Sequence, residues 1–138
     1  MVMARAEVLI DRTADEIWAR IRDFGDVSWI PNTESSRLDG DIRTVQMKGV
    51  DFDETQRLLH HDDATRSYSY RLTSNIDFES IFGPGNKFTG LQGSIALEPC
   101  GASSCRVTYD VETDEFLVGV VNREYQGALD NLKALMEA

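Results

Sequence analysis

The chain has 138 residues and a formal net charge of −10 at pH 7, from 24 acidic and 14 basic side chains. This length fits a single domain, residues 1–138, and the charge excludes nucleic acid and anionic membrane surfaces as favoured partners. No apolar stretch approaches the roughly 18 residues that a membrane span requires, and the start of the chain has no signal-peptide pattern. We therefore expect a cytoplasmic domain with no membrane insertion and no nucleic-acid partner.

The first predicted elements are a strand and a short amphipathic helix. Apolar and polar residues alternate over residues 4–10, which predicts a strand with one inward face. Thr13 and Glu16 have the spacing of a capping box, so a helix is predicted to begin there. Gly25 is its expected stop, and Pro31 predicts a loop or a single turn over residues 26–33.

Short strands separated by turns are predicted from residue 34 to residue 113. Asp39-Gly40-Asp41 has the composition of a hairpin turn between strands at 35–38 and 42–47. The other strands are predicted at 52–60, 66–74, 88–97 and 106–113. The irregular stretch 75–86 predicts either a long loop that covers a site or a plain surface excursion.

The last predicted element is a long helix over residues 117–138. Its apolar residues recur at steps of three and four, which is the spacing of one apolar stripe on a helix. The stripe is too wide to remain in water, so the helix must pack across another surface. Antiparallel strands with helices towards both ends of the sequence indicate the α+β class.

Three local patterns carry a resemblance to a known superfamily. The first is residues 14–18 continuing to 23–25 and 29–31, the second is 57–59 with 62–63 and 68–70, and the third is 129–133 in the last helix. With the order of elements, these resemble the START-like (SRPBCC) superfamily. It includes the birch-pollen allergen group, polyketide cyclase/dehydrase-like proteins and, more distantly similar to this chain, plant abscisic acid receptors.

The resemblance implies a helix-grip fold. A curved seven-stranded antiparallel sheet would wrap around the long C-terminal helix, in the order β-α-α-β6-α, with a cavity between sheet and helix. In such families the cavity usually binds hydrophobic small molecules. Abscisic acid receptors carry a lysine for the ligand carboxylate, but residues 29–38 contain none here, so a ligand of that anionic type is not expected.

The ligand-binding candidates are the positions that would face this cavity. In the resembling families these are alternate residues of the central strands, closed by residues of the last helix. The predicted ligand-binding residues are Trp29, Glu54, Gln56, Leu58, Tyr68, Tyr70, Leu72, Leu91, Ile95, Tyr109, Val111, Val121, Tyr125 and Leu129. This wall is mostly apolar with a few convergent polar groups, as ligand sites tend to be, although the same residues could simply fill a core.

Catalytic chemistry is indicated only weakly, and no catalytic residue is assigned. Glu54 is a candidate general acid or base if it faces an apolar cavity, since burial would raise its pKa. The alternative is a solvated carboxylate at the mouth of the strand. His60 and His61 are adjacent and would point to opposite faces of a strand, so no metal site is predicted. No motif indicates a cofactor.

Three functions remain open. The first is binding of a hydrophobic or aromatic small molecule, lipid- or polyketide-like, between sheet and helix. The second is a polyketide cyclase/dehydrase-like enzyme that uses acid–base residues of the cavity. The third is a protein-interaction module with a closed core. Nothing in the sequence chooses between a monomer and a homodimer.

Overall fold

The computed structural model describes all residues from 1 to 138 and contains seven strands and three helices. The strands are β1 Val2–Ile10, β2 Thr33–Asp39, β3 Ile42–Met47, β4 Asp53–Asp62, β5 Ser67–Leu72, β6 Leu91–Pro99 and β7 Cys105–Thr113. The helices are α1 Ala14–Ile21, α2 Glu79–Phe82 and α3 Val118–Glu137, and a 3₁₀ turn at Glu115–Leu117 leads into α3. The predicted α+β class is confirmed.

The strands form one antiparallel sheet in the order β1-β7-β6-β5-β4-β3-β2. Strands β2 to β7 follow one another as neighbours, and β1 pairs with β7, with Val2 opposite Thr113 and Ile10 opposite Cys105. The first hairpin closes as predicted, since Asp39 pairs with Ile42 and Gly40 has the positive φ of 63° that glycine adopts without strain.

Helix α3 lies mainly along β1 and β7. The centre of its apolar stripe is buried, at Val121, Ala128, Leu129 and Leu132, and polar side chains on its flanks bind it to the first strand. Gln126 Nε2 donates to the carbonyl of Glu7 at 3.1 Å, and Lys133 Nζ donates to the carbonyl of Leu9 at 2.7 Å. The long helix predicted at 117–138 is confirmed, and no helix combines the length and apolarity that crossing a bilayer requires.

The helix-grip fold is confirmed, with two differences in the helices. Helix α1 opens with the predicted capping box but ends at Ile21, four residues before Gly25. The following segment is held in turns by aspartates, because the side chain of Asp23 accepts from Gly25 N–H and that of Asp26 from Ser28 N–H, both at 2.9 Å. The second helix of the expected order is therefore absent here, and a short helix, α2, occurs instead in the loop between β5 and β6.

Candidate functional site

The predicted ligand-binding residues lie on the inner face of the sheet, on the helix α3 that covers it and, for Trp29, in the loop after α1. Eleven of the fourteen are buried, and Glu54, Leu58 and Tyr125 are half-buried. All of them except Glu54 and Gln56 belong to, or pack against, one hydrophobic core. Strand alternation thus predicted the inner face correctly, while ligand binding by these residues stays a prediction.

A buried arginine on this face was missed by the sequence analysis. Arg43, on β3, is only 2% exposed. Its Nε donates to Gln56 Oε1 at 2.9 Å, one terminal nitrogen donates to the same oxygen, and the other donates to the carbonyl of Phe24 at 2.9 Å. Strand alternation could have predicted its burial, because Arg43 and buried Val45 are two residues apart and therefore lie on the same face of β3.

The charge of Arg43 is compensated without a direct ion pair. No carboxylate lies within salt-bridge distance of its guanidinium, which instead covers the ring of Phe24 at 4.0 Å and lies 5.1 Å from the ring centre of Tyr70. Aromatic faces attract cations, and the attraction grows when water is excluded. The inner face therefore holds a fixed positive charge inside a strongly acidic protein.

Glu54 is linked to this arginine through an amide. Gln56 accepts from Arg43 through Oε1 and donates through Nε2 to Glu54 Oε2 at 2.9 Å. Burial raises the pKa of Glu54 above its ordinary value, and the hydrogen bond from Gln56 and the charge of Arg43 oppose the shift. Glu54 is therefore not the fully solvated carboxylate that the sequence left open, and its protonated form is favoured more than in water.

Three tyrosines form a second polar group. The hydroxyl of Tyr70 lies 2.5 Å from that of Tyr109 and 3.2 Å from that of Tyr125, and the rings of Tyr109 and Tyr125 stack at 4.6 Å. Burial raises the pKa of all three phenols, so they stay protonated at neutral pH. Gly93 makes the group possible, because a Cβ there would lie 2.7 Å from Cζ of Tyr70.

Two buried side-chain polar atoms have no hydrogen-bond partner within the protein, namely Trp29 Nε1 and Ser74 Oγ. Trp29 is fully buried in the core. Ser74 follows the end of β5, where the N–H of Thr73 still donates to the carbonyl of Thr55 at 2.8 Å, beside Glu54 in sequence. Buried polar atoms are nearly always paired, so each of these atoms calls for an explanation.

An aromatic cluster links the loop between β5 and β6, which was predicted to be either a covering loop or a surface excursion, to the start of α3. Phe78, Phe82, Phe88 and Phe116 are all half-buried, with ring centres 4.9 to 6.3 Å apart in the contacting pairs. They join the segment around α2 to the start of α3. This loop is thus packed on the domain through aromatic side chains rather than projecting as a plain surface excursion.

Neither of the two main surface clefts is lined by a predicted ligand-binding residue. One, of about 630 Å³, is mostly polar and lies along residues 23–36 with Lys48 and Asn131. The other, of about 360 Å³, lies along residues 75–79 with Lys87 and Phe88. The inner-face residues pack against one another instead, so a ligand would have to separate them.

His61 has a structural role beside α1, where its ring lies 5.2 Å from that of Trp18, whereas His60 is exposed. The ring of His61 stacks parallel to that of Tyr68 at 6.2 Å, and His61 Nε2 lies 2.8 Å from the carbonyl of Arg22. Next to it, Asp63 accepts from Trp18 Nε1 at 2.7 Å and from Arg22, and these donors lower the pKa of Asp63 to about 2. This contact fastens α1 to the turn after β4.

The fold and the composition of the inner face define a helix-grip domain with a partly polar core. A family model described as polyketide cyclase / dehydrase and lipid transport matches residues 1–137. The chain therefore belongs to this family, which supports a ligand-binding or cyclase role. A search of curated protein sequences finds no match.

Solved structures with low sequence identity share the fold. A protein of uncharacterised function from Bacillus thuringiensis superposes with a TM-score of 0.84 at 19% identity, over 99% of this chain and 100% of that one. A START superfamily protein from Mycobacterium smegmatis gives 0.77 at 12% identity, over 98% and 97%. The di-domain ARO/CYC protein BexL gives 0.76 at 18% identity, over 99% of this chain and 47% of that one. The START-like resemblance is thus confirmed at the level of the fold.

Proposed function

We propose that the protein binds a hydrophobic or aromatic small molecule on the inner face of the sheet, between the sheet and α3. The observation that carries this proposal is the set of polar side chains buried among apolar ones there, namely the hydrogen-bonded Arg43–Gln56–Glu54 chain and the three-tyrosine group. Burial of polar and charged groups is unfavourable unless their partners are correctly placed, so a core that served stability alone would be more apolar. A bound molecule with polar substituents would find partners on an otherwise apolar wall.

Entry is proposed between α3 and the segment around α2. The half-buried members of the inner face, Glu54, Leu58 and Tyr125, mark where solvent comes nearest to it. The phenylalanine cluster beside α2 is only partly buried, so moving it aside exposes less apolar surface than moving fully buried core residues would. Ligand burial would compensate this exposure and contribute the affinity.

Titration with the neutral fluorescent probe N-phenyl-1-naphthylamine tests the proposal, together with native mass spectrometry of freshly purified protein. We expect saturable binding at one site, or a co-purified small molecule at near one-to-one occupancy. Leu58→Trp should weaken probe binding about tenfold or more by filling the inner face. Leu59→Trp is the matched control, because Leu59 is 44% exposed and should tolerate the larger ring.

Failure of the wild-type protein to bind any apolar probe would overturn the proposal. Equal binding by Leu58→Trp and Leu59→Trp would place the probe elsewhere and would also overturn it. Either result would favour the closed-core interaction module.

A cyclase is the second candidate function, and Glu54 is the observation that favours it. Its carboxyl has a raised pKa and is hydrogen-bonded to Gln56, so it keeps its proton to higher pH than a solvated carboxyl and could exchange it with a substrate. Turnover of a poly-β-ketone thioester that is abolished in Glu54→Gln, with probe binding retained, would support the enzyme. Retained turnover in that variant would remove Glu54 from the reaction.

A further inference from the structure

Tyr70, Tyr109 and Tyr125 form a chain of hydrogen bonds. The direction of the chain follows from the single proton that each phenol can donate. The hydroxyl of Tyr70 donates to that of Tyr125 at 3.2 Å. A phenol carries a single proton, so Tyr70 cannot also donate to Tyr109, and Tyr109 must be the donor in their shared bond. The chain therefore runs from Tyr109 through Tyr70 to Tyr125.

The hydroxyl proton of Tyr125, at the end of this chain, has no acceptor within the protein. Tyr125 accepts from Tyr70, and no protein group accepts from Tyr125 in return. Tyr125 is also the half-buried member, whereas Tyr70 and Tyr109 are 1% and 2% exposed. The O–H without a protein acceptor therefore belongs to Tyr125, the least buried residue of the three.

The surroundings of Tyr125 hold this donor in place. Its ring stacks on that of Tyr109 with an angle of 9° between the planes, so its orientation is set by packing. Hydrogen bonds in a chain polarise one another, which makes the terminal O–H a better donor than an isolated phenol. Besides burial, Glu54 raises the pKa of Tyr125 and Arg43 lowers it, so the two charges oppose each other at this hydroxyl and a neutral ligand group needs no further counter-charge there.

Resting on the proposed function, we infer that Tyr125 donates a hydrogen bond to a neutral carbonyl oxygen of the bound molecule. The ligand class is then an aromatic ketone or quinone, rather than a plain hydrocarbon or an aromatic acid. The apolar residues of the inner face would contact the rings, and Tyr125 would fix which end carries the carbonyl.

Three probes of nearly equal shape test this inference: 2-acetylnaphthalene, 2-isopropenylnaphthalene and 2-naphthoate. The first two differ only in that a C=CH₂ group replaces the carbonyl. One net hydrogen bond predicts that the wild-type protein binds the ketone about two- to tenfold more tightly than the alkene. The naphthoate should bind more weakly than the ketone.

Tyr125→Phe should bring the ketone-to-alkene affinity ratio to about one while leaving alkene affinity unchanged. A merely structural role would weaken both probes together, so the ratio separates the two cases. Ser94→Ala is the control, because Ser94 carries an exposed hydroxyl on the other face of β6 and its loss should preserve the ratio.

The infrared band of a ¹³C=O-labelled ketone gives a readout on the wild-type protein alone, should Tyr125→Phe fail to fold. A shift of the bound carbonyl to lower wavenumber supports the hydrogen bond. An unshifted band, equal affinity for ketone and alkene, or a ratio that survives in Tyr125→Phe would overturn the inference and leave the proposed function standing. Absence of binding by all three probes would overturn the proposed function itself.

Discussion

The inner face of the sheet has two halves that are filled in different ways. On β6, β7 and β1 the inward side chains are almost entirely apolar, and they pack under α1 and α3. On β3, β4 and β5 the inward positions include Arg43, Gln56, Glu54, Tyr68 and Tyr70. The two halves meet where Tyr109 on β7 contacts Tyr70 on β5 across Gly93.

The difference separates stability from specificity. Apolar burial is favourable without any particular partner, at about 25 cal/mol per Å² removed from water. A buried polar group, in contrast, destabilises the fold unless its partners are correctly placed. We therefore expect the half under α3 to dominate the free energy of unfolding, and the half on β3 to β5 to dominate selection of a ligand.

The largest expected effect comes from the apolar half. Leu129 is completely buried on α3, so Leu129→Ala removes packed volume and should lower the free energy of unfolding by about 2–5 kcal/mol. Urea unfolding followed by circular dichroism measures the loss. Ala134→Gly, at an exposed position of the same helix, is the control and should cost only about 1 kcal/mol. Equal losses would mean that this half does not dominate stability.

The corresponding substitution in the polar half is Gln56→Leu, which disrupts the hydrogen bonds between Arg43 and Gln56. It removes the oxygen that accepts from Arg43, a hydrogen bond to a charged group, and should cost about 1.5–3 kcal/mol. Adding Arg43→Met should recover part of this loss, because the guanidinium left without its acceptor is removed. The four unfolding free energies form a double-mutant cycle, and strictly additive losses would show that the two side chains are not coupled.

The inner face was predictable from the sequence where one-sided burial imposes a period. On β5, buried residues alternate with more exposed ones, as Tyr68, Tyr70 and Leu72 show, and the apolar stripe of the last helix repeats with the helical period. Both patterns could therefore be predicted without knowledge of tertiary contacts. The fold followed from these periods together with the superfamily resemblance.

Arg43 and the short helix α2 were not predictable in the same way. An inward charge breaks the hydrophobic pattern, and its partners, Gln56 and the carbonyl of Phe24, lie 13 and 19 residues away. Helix α2 has four residues, about one turn, which is too short to show a period. Such features depend on tertiary contacts that no local pattern contains.

Gly93→Ala should disturb the boundary between the halves. The new methyl group would lie 2.7 Å from Cζ of Tyr70 and must displace the ring, at a cost of about 1–3 kcal/mol from overpacking. Gly127→Ala is the control, since a Cβ there meets nothing within 4 Å and should stabilise α3 by about 0.5–1 kcal/mol. Urea unfolding distinguishes the two signs, and a stabilised Gly93→Ala would show that Tyr70 does not need the gap.

The smallest expected effect is a pH dependence that belongs to the polar half alone. Burial raises the pKa of Glu54 above 4.5, so between 4.5 and the raised value the folded state binds more protons than the unfolded state. The free energy of unfolding must then fall as pH rises through this window, and the stabilising contribution of Glu54 is complete only below it.

Glu54→Gln keeps an oxygen for the amide of Gln56 but cannot ionise. Urea unfolding from about pH 4 to pH 8 should therefore show the variant gaining on the wild-type protein as pH rises, with the two most alike at the acidic end. Glu112→Gln, on the exposed face of β7, should run parallel to the wild-type curve throughout. If Glu54→Gln also runs parallel, the carboxyl is solvated after all, and the polar half has no stored proton to offer a substrate.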